Sequence, residues 1–158
     1  MEGNKIDNIL SIAEECIDHD ELVSLCAAEI PLVAYDGFEP SGRIHIAQGI
    51  LRSINTNKLT SNGCKFKFWI ADWFAMLNLK YGGDLKKIKN AGLLMIETWK
   101  ACGMNMDNVE FIWSSEEINS DPGKYWGLVL DISTKFNLNR MLKCTQIMGR
   151  SESDDLAA

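Results

Sequence analysis

Residues 35–49 read YDGFEPSGRIHIAQG, and this stretch decides the fold. It follows a short apolar, β-leaning run, Leu32-Val33-Ala34-Tyr35, which the spacing predicts as a buried strand ended by Asp36-Gly37. It leads into a segment from about His45 to Asn62 in which Ile46, Ile50 and Ile54 recur at helical spacing, with Asn62-Gly63 as the stop. A strand, a Gly/Pro/Ser loop and a helix in that order is the opening unit of a parallel α/β sheet. In open parallel sheets ligands bind at the carboxyl ends of the strands, so the same loop is the first candidate for a site.

The pattern repeats outward from there. Phe66 to Ala71 reads as a second core strand, closed by Asp72, and Trp73 to Leu79 as a short helix. Gly82-Gly83 breaks the chain. Asp84 then caps a long helix with Leu85, Ile88, Gly92, Met95, Trp99 and Cys102 on one stripe. Val109 to Trp113 is a third strand. Lys124 to Met148 reads as helical with a break near Asn137–Asn139, and residues 149–155 as a polar loop. Before the first strand, residues 4–18 carry Ile6, Ile9, Leu10, Ala13 and Ile17 at helical spacing, and Asp20 caps a second helix reaching Glu29. The expected fold is therefore α/β: an N-terminal helical segment over residues 1–30, then the first half of a Rossmann-like, doubly wound parallel sheet over 31–158.

Composition bounds the rest. The 158 residues are 46% hydrophobic and 24% charged, ordinary for one globular domain. With 22 acidic and 16 basic residues the net charge is −6, which argues against a generally basic nucleic-acid-binding surface and leaves room for a local basic patch. No apolar run is long enough to span a bilayer, and the N-terminus has no secretory h-region. Five cysteines without a Cys-x-x-Cys pair read as reduced thiols of a cytoplasmic protein, and two histidines are too few for a Cys/His zinc motif, so no bound metal is expected. Cys64 and Cys102 read as structural, and Lys86, Lys87 and Lys89 as a solvated helix face.

Within the loop, Gly37 and Gly42 permit close ligand approach, Pro40 stiffens the chain, and Ser41 offers a hydroxyl. The helix amides at about 44–48 favour an anion, and His45 stands at that terminus as a donor to a phosphate oxygen. The pattern is neither Gly-x-Gly-x-x-Gly nor a P-loop. On the residues alone, a turn with a capping histidine remains the alternative.

The run Tyr-Asp-Gly-Phe-Glu-Pro-Ser-Gly-Arg-Ile-His-Ile-Ala-Gln over 35–48 resembles the signature region of tyrosyl-tRNA synthetases of the archaeal/eukaryotic type, which are class I aminoacyl-tRNA synthetases. Ile70-Ala71-Asp72-Trp73-Phe74-Ala75, Trp113-Ser114-Ser115-Glu116 and Cys144-Thr145-Gln146-Ile147-Met148-Gly149 are similar to further family segments. His45-Ile46-Ala47-Gln48 stands where class I enzymes carry His-Ile-Gly-His. Ala47 adds a methyl where adenine approaches, and Gln48 keeps a hydrogen-bonding group but loses the possible charge.

The resemblance implies a tyrosine–tRNA ligase that forms tyrosyl-adenylate from L-tyrosine and ATP and passes the tyrosyl group to tRNA(Tyr). ATP enters with Mg²⁺ as substrate. It implies catalytic roles for Ser41, His45 and Gln48, and ATP contacts by Gly37, Phe38, Pro40, Ser41, Gly42, His45, Gln48 and Gly49. Tyr35, Gly37, Glu39, Trp69, Ala71 and Phe74 fall to the tyrosine pocket, with core packing the alternative for Trp69 and Phe74 and a solvated acid the alternative for Glu39. Arg140 and Lys143 are candidates for tRNA contact. The family's Lys-Met-Ser-Lys-Ser loop, the helix that completes its amino-acid pocket and its anticodon-binding domain are absent from these 158 residues. The expectation is thus a truncated chain, inactive alone and a homodimer when full length. A tryptophanyl-type fragment and a non-catalytic interaction module are the alternatives.

Overall fold

The computed structural model describes residues 2–28 and 30–147. They form two compact units, Met1–Ser114 and Ser115–Ala158. The first contains α1 (Glu2–Leu10), α2 (His19–Ala27), β1 (Val33–Phe38), α3 (Arg52–Ser61), β2 (Lys65–Ile70), α4 (Asp72–Leu77), α5 (Leu85–Ala101) and β3 (Val109–Trp113). A π-helical turn, Ala47–Leu51, leads into α3. After β3 come α6 (Ser114–Ser120), α7 (Pro122–Lys135) and α8 (Leu138–Ile147).

The sheet has the order β1-β2-β3 and is parallel throughout. Its register pairs Gly37 with Trp69 and Phe38 with Ile70, then Trp69 with Ile112 and Ile70 with Trp113. This is the expected half of a doubly wound sheet. β1 runs three residues past Tyr35, because Asp36-Gly37 continues the ladder and Phe38 accepts from the Ala71 N–H at 2.9 Å. The core lies on one face. Phe38, Phe66, Phe68 and Ile70 meet Met95, Ile96 and Trp99 of α5, with Met104 beside them. Phe68 stacks on Trp99 at 4.7 Å and on Phe111 at 5.4 Å.

Three expectations are corrected. α1 ends at Leu10 rather than near residue 18, and the next helix is capped by Asp18, not Asp20, because the Asp18 carboxylate accepts from the Glu21 N–H at 2.9 Å. That helix stops at Ala27, and Glu29 lies outside the described residues. The Ile46/Ile50/Ile54 stripe does not face the core. Ile46 is 76% and Ile54 56% exposed, while Gly49, Ser53, Thr56 and Thr60 are the buried residues of this segment. Small residues let the helix approach closely, and the Ser53 hydroxyl is satisfied by the Gly49 carbonyl at 2.8 Å.

The α5 stripe is as expected at Ile88, Gly92, Met95 and Trp99, whereas Cys102 is exposed at the helix end. Asp84 caps α5, accepting from the Lys87 N–H at 3.1 Å. α6 was unforeseen, since Ser114-Ser115 reads as loop chemistry. α7 starts at Pro122, capped by Asp121, and the break before α8 falls at Phe136–Asn137. The loop expected over 149–155 lies outside the described residues. Among those described, no helix is long and apolar enough to cross a membrane.

Gly92 is where α5 touches the sheet most tightly. A Cβ there would lie 2.6 Å from Cη2 of Trp113 and 3.5 Å from Cγ2 of Ile70. The Trp113 ring is rigid and cannot fold away. Alanine adds up to about 1 kcal/mol of helix propensity, but overpacking costs about 1–3 kcal/mol. Gly92→Ala is expected to lower stability by about 1–2 kcal/mol in urea denaturation. An equal or higher midpoint would show that β3 yields at Trp113.

Candidate active site

Side chains alternate across a strand, so residues two apart share a face. Ala34, Asp36 and Phe38 turn toward the helices. Val33, Tyr35 and Gly37 turn to the opposite face, beside Lys67 and Trp69 of β2 and Ile112 of β3. These six line an open apolar recess of about 420 Å³. Tyr35, Gly37 and Trp69, assigned to one pocket from sequence, are brought together here. Tyr35 is 81% exposed and its ring stands off the sheet. Lys67 and Lys65 share the Glu110 carboxylate, each Nζ 3.5 Å from Oε2, so its single charge offsets only part of theirs. Ala71 and Phe74 do not line this recess. They sit beyond the end of β2, Phe74 on α4 and partly exposed. Val33, Lys67 and Ile112 were missed, although the two-residue strand period would have found the first two.

The loop after β1 carries the polar candidates. Ser41, Gly42 and His45 are exposed. The His45 N–H donates to Oε1 of Gln48 at 3.4 Å, a side chain reaching back to brace the chain entering the helix. The Gly49 N–H donates to the His45 carbonyl at 3.0 Å. Ala47 is exposed, so its methyl faces outward. Glu39 is half-buried, and both its carboxylate oxygens lie 3.4 Å from Nδ2 of Asn78. That contact ties the loop to the end of α4.

Of the residues that the resemblance assigns to ATP, Phe38, Pro40 and Gly49 differ in burial from Ser41, Gly42 and His45. All three are buried. Phe38 belongs to the aromatic core, and a Cβ on Gly49 would press on Ile44 at 3.2 Å. Their side chains hold the loop in shape and present no group to a ligand. Two buried polar links were invisible in the sequence. The fully buried Asp72 accepts from the Ser114 hydroxyl at 2.6 Å and the Trp73 N–H at 2.9 Å, joining the carboxyl ends of β2 and β3. The indole Nε1–H of Trp99 donates to the Gln48 carbonyl at 2.7 Å. The thiol of Cys64 is pushed up by burial, which leaves it inert.

The comparisons with known proteins place this arrangement. Residues 28–158 match the family described as tRNA synthetases class I (W and Y). The chain belongs to that family. It is 61% identical over 150 residues to tyrosine–tRNA ligase 1, cytoplasmic, of Arabidopsis thaliana, covering 95% of this chain and 39% of that protein. It is 37% identical to the tyrosine–tRNA ligase of Picrophilus torridus, covering 94% of this chain and 44% of the relative. The tyrosyl-tRNA synthetase of Leishmania major in complex with tyrosinol superposes with a TM-score of 0.88 at 50% identity, over 97% of this chain and 23% of the other. That of Pyrococcus horikoshii complexed with L-tyrosine superposes at 0.80 and 31%, over 98% of this chain and 43% of the other.

The chain therefore spans less than half the length of each of these relatives. They are plant, archaeal and protozoan tyrosyl enzymes, in keeping with the archaeal/eukaryotic resemblance. They do not favour the tryptophanyl or interaction-module alternatives.

Beneath the synthetase loop, Asp36 pairs with Arg52 of α3 at 2.8 Å. Burial raises the Asp36 pKa above the ordinary carboxylate value, and Arg52 pulls it part of the way back. A carboxyl with a raised folded-state pKa holds its proton more tightly folded than unfolded. Its contribution is present below the ordinary value of about 3.9 and is lost as pH rises through the higher folded value. Asp36→Asn removes that loss and adds only a pH-independent cost for leaving Arg52 unpaired. The stability of the variant relative to the parent is expected to improve as pH rises from the ordinary carboxylate value of about 3.9 through the raised folded value. A difference that stays flat across paired urea titrations would refute the assignment.

Proposed function

We propose that this chain supplies the tyrosine pocket and the ATP-facing helix terminus of a tyrosine–tRNA ligase. The observation that carries the reading is the exposed Tyr35 ring beside Trp69 in an apolar recess on the open face of the sheet, with β1 leading on into the His45 loop. An aromatic substrate fits a recess of this lining, and Tyr35 offers its phenol as partner to the substrate hydroxyl. A site that pairs a hydroxyl rejects an analogue lacking it, because its own polar group is left unpaired.

The chemistry needs little from the protein beyond position and charge. The tyrosine carboxylate attacks the α-phosphorus of ATP. A new P–O bond forms, the bond to the bridging oxygen breaks, and pyrophosphate leaves with Mg²⁺, which enters with ATP as part of the substrate. The terminal ribose hydroxyl of tRNA(Tyr) then attacks the acyl carbon and AMP leaves. The carboxylate is already a nucleophile, so no protein nucleophile is required.

The phosphoryl group in flight calls for preorganised donors. The Ser41 hydroxyl, the His45 imidazole and the amides of the helix terminus fill that role. Gln48 holds the His45 amide and so keeps the imidazole in place. Gly37 and Gly42 leave room for the nucleotide, while Phe38, Pro40 and Gly49 shape the loop from below.

A cytoplasmic location and homodimer assembly belong to the same reading. The cytoplasmic name of the Arabidopsis relative and the exposed Tyr125, Trp126, Leu128, Leu130 and Ile132 of α7 support them. Arg140 and Lys143, exposed on α8, are kept for tRNA phosphates.

Two substitutions test the roles, each in the protein as its gene encodes it. Tyr35→Phe removes one hydrogen bond and is expected to weaken tyrosine binding about 2- to 12-fold, with a smaller preference over phenylalanine. An unchanged preference in paired kinetics would move hydroxyl recognition to another residue. His45→Ala is expected to slow ATP–pyrophosphate exchange by on the order of 3 kcal/mol of transition-state stabilisation, with tyrosine affinity nearly constant. Turnover at the parent rate would remove His45 from the phosphate site.

A further inference from the structure

We propose that Trp99, remote in sequence from the signature loop, is a positioning residue for its phosphate-facing groups: it clamps both ends of the 38–48 segment. The inference rests on the tyrosine-activation reading above for what the loop does, and on independent geometry for what Trp99 does.

Trp99 is packed on several sides. It is fully buried, stacked on Phe68 at 4.7 Å and 20°, and nearly parallel to Phe111 at 6.0 Å and 9°. From that position it touches the loop where it begins and where it ends. At the start, the Phe38 ring meets it edge-on at 4.9 Å and 86°. At the finish, its Nε1–H donates to the Gln48 carbonyl at 2.7 Å. A second tie runs in parallel, since the Arg52 guanidinium lies 5.9 Å from the Trp99 ring centroid and pairs with Asp36, two residues before Phe38.

The backbone is adapted to this contact. In a regular α-helix the Arg52 N–H would bond to the carbonyl four residues back, that of Gln48. Here it bonds to Ala47 and Gly49, and the turn Ala47–Leu51 is π-helical. The Arg52 N–H thus passes over the Gln48 carbonyl, which receives the indole proton instead. Single π-turns inside helices are frequent at functional sites. This one lies directly under Gln48, whose Oε1 holds the His45 amide. The chain of contacts runs from the aromatic core through the Gln48 carbonyl, and from the Gln48 side chain to the amide of His45.

The test replaces the indole donor and keeps the ring. Trp99→Phe is made in the protein as its gene encodes it. A second variant carries 3-benzothienylalanine at 99, which preserves the bicyclic shape without the N–H and so separates the hydrogen bond from packing. Both are expected to lower ATP–pyrophosphate exchange turnover about 10- to 100-fold, with the tyrosine KM within about twofold of the parent, because misplacement near an ångström costs that much. The loss is expected to shrink in a Gln48→Ala background, where there is less for the clamp to position.

Amide hydrogen exchange across residues 44–52 is expected to quicken in both variants, and this readout does not depend on turnover. Unchanged turnover in the benzothienyl variant, a parallel loss of tyrosine affinity, or unchanged protection of 44–52 would each overturn the proposal. If the parent protein shows no tyrosine-dependent exchange while the variants still lose protection over 44–52, the tyrosine-activation reading fails and the clamp stands.

Discussion

A strand that joins a parallel sheet beside its predecessor must be reached by a connection crossing one face, and in L-proteins that crossover is right-handed. β1, β2 and β3 are laid down in one direction, so the connections through α3 and α5 fall on the same face. That constraint accounts for the division of labour in the sheet. One face is packed with Phe66, Phe68, Ile70 and Trp99, and the other is left with Val33, Tyr35, Lys67 and Trp69 around an open recess. Doubly wound folds bind ligands at the point where strand order reverses, next to the first strand. β1 is an edge of the described sheet; its open face carries the recess and its carboxyl end leads into the loop toward His45. The candidate site therefore follows from topology before any side chain is considered.

What could be read from the sequence tracks which interactions are local. The α5 stripe was legible because Ile88, Met95 and Trp99 are large, apolar and at helical spacing, and the cap at Asp84 is a three-residue contact. The segment over 46–61 has an equally regular apolar stripe, and it points outward. There the buried face is made of Gly49, Ser53, Thr56 and Thr60, small residues that admit close neighbours, as at Gly49, where a Cβ would lie 3.2 Å from Ile44 and 3.7 Å from Cys102. Periodicity registers hydrophobicity and is blind to a face chosen for smallness. The end of β1 was misplaced for a related reason. Asp36-Gly37 is turn chemistry in isolation, and a ladder with Gly37 opposite Trp69 overrides it.

The site itself was legible mainly through resemblance, and only for groups that a ligand would touch. Tyr35, Gly37 and Trp69 do share one recess, and Ser41 and His45 are exposed on one loop. The groups that hold them were not legible, because their partners are distant. Trp99 lies 51 residues from Gln48, and Ser114 lies 42 from Asp72. No motif records such a pair, since each depends on the register of strands already formed.

These supporting contacts also share a physical character. The surface ion pairs, such as Lys100–Glu97 at 2.6 Å and Lys135–Asp131 at 2.6 Å, are solvated and contribute little. Next to the candidate site the links are buried or partly buried: an indole to a carbonyl, a hydroxyl to a carboxylate, and one arginine–carboxylate pair. A hydrogen bond in a low-dielectric setting loses less to competing water, and its absence leaves a polar group stranded at a cost of about 1–3 kcal/mol. Such contacts resist small displacements in a way that mobile surface charges do not. A reaction between a carboxylate and a nucleotide phosphate needs donors already in place when charge develops. In an acidic chain of net charge −6, bulk electrostatic attraction cannot supply that, so local geometry must. The loop's exposed groups rest on that geometry through the closely packed aromatic core, to which the Gln48 carbonyl is tied.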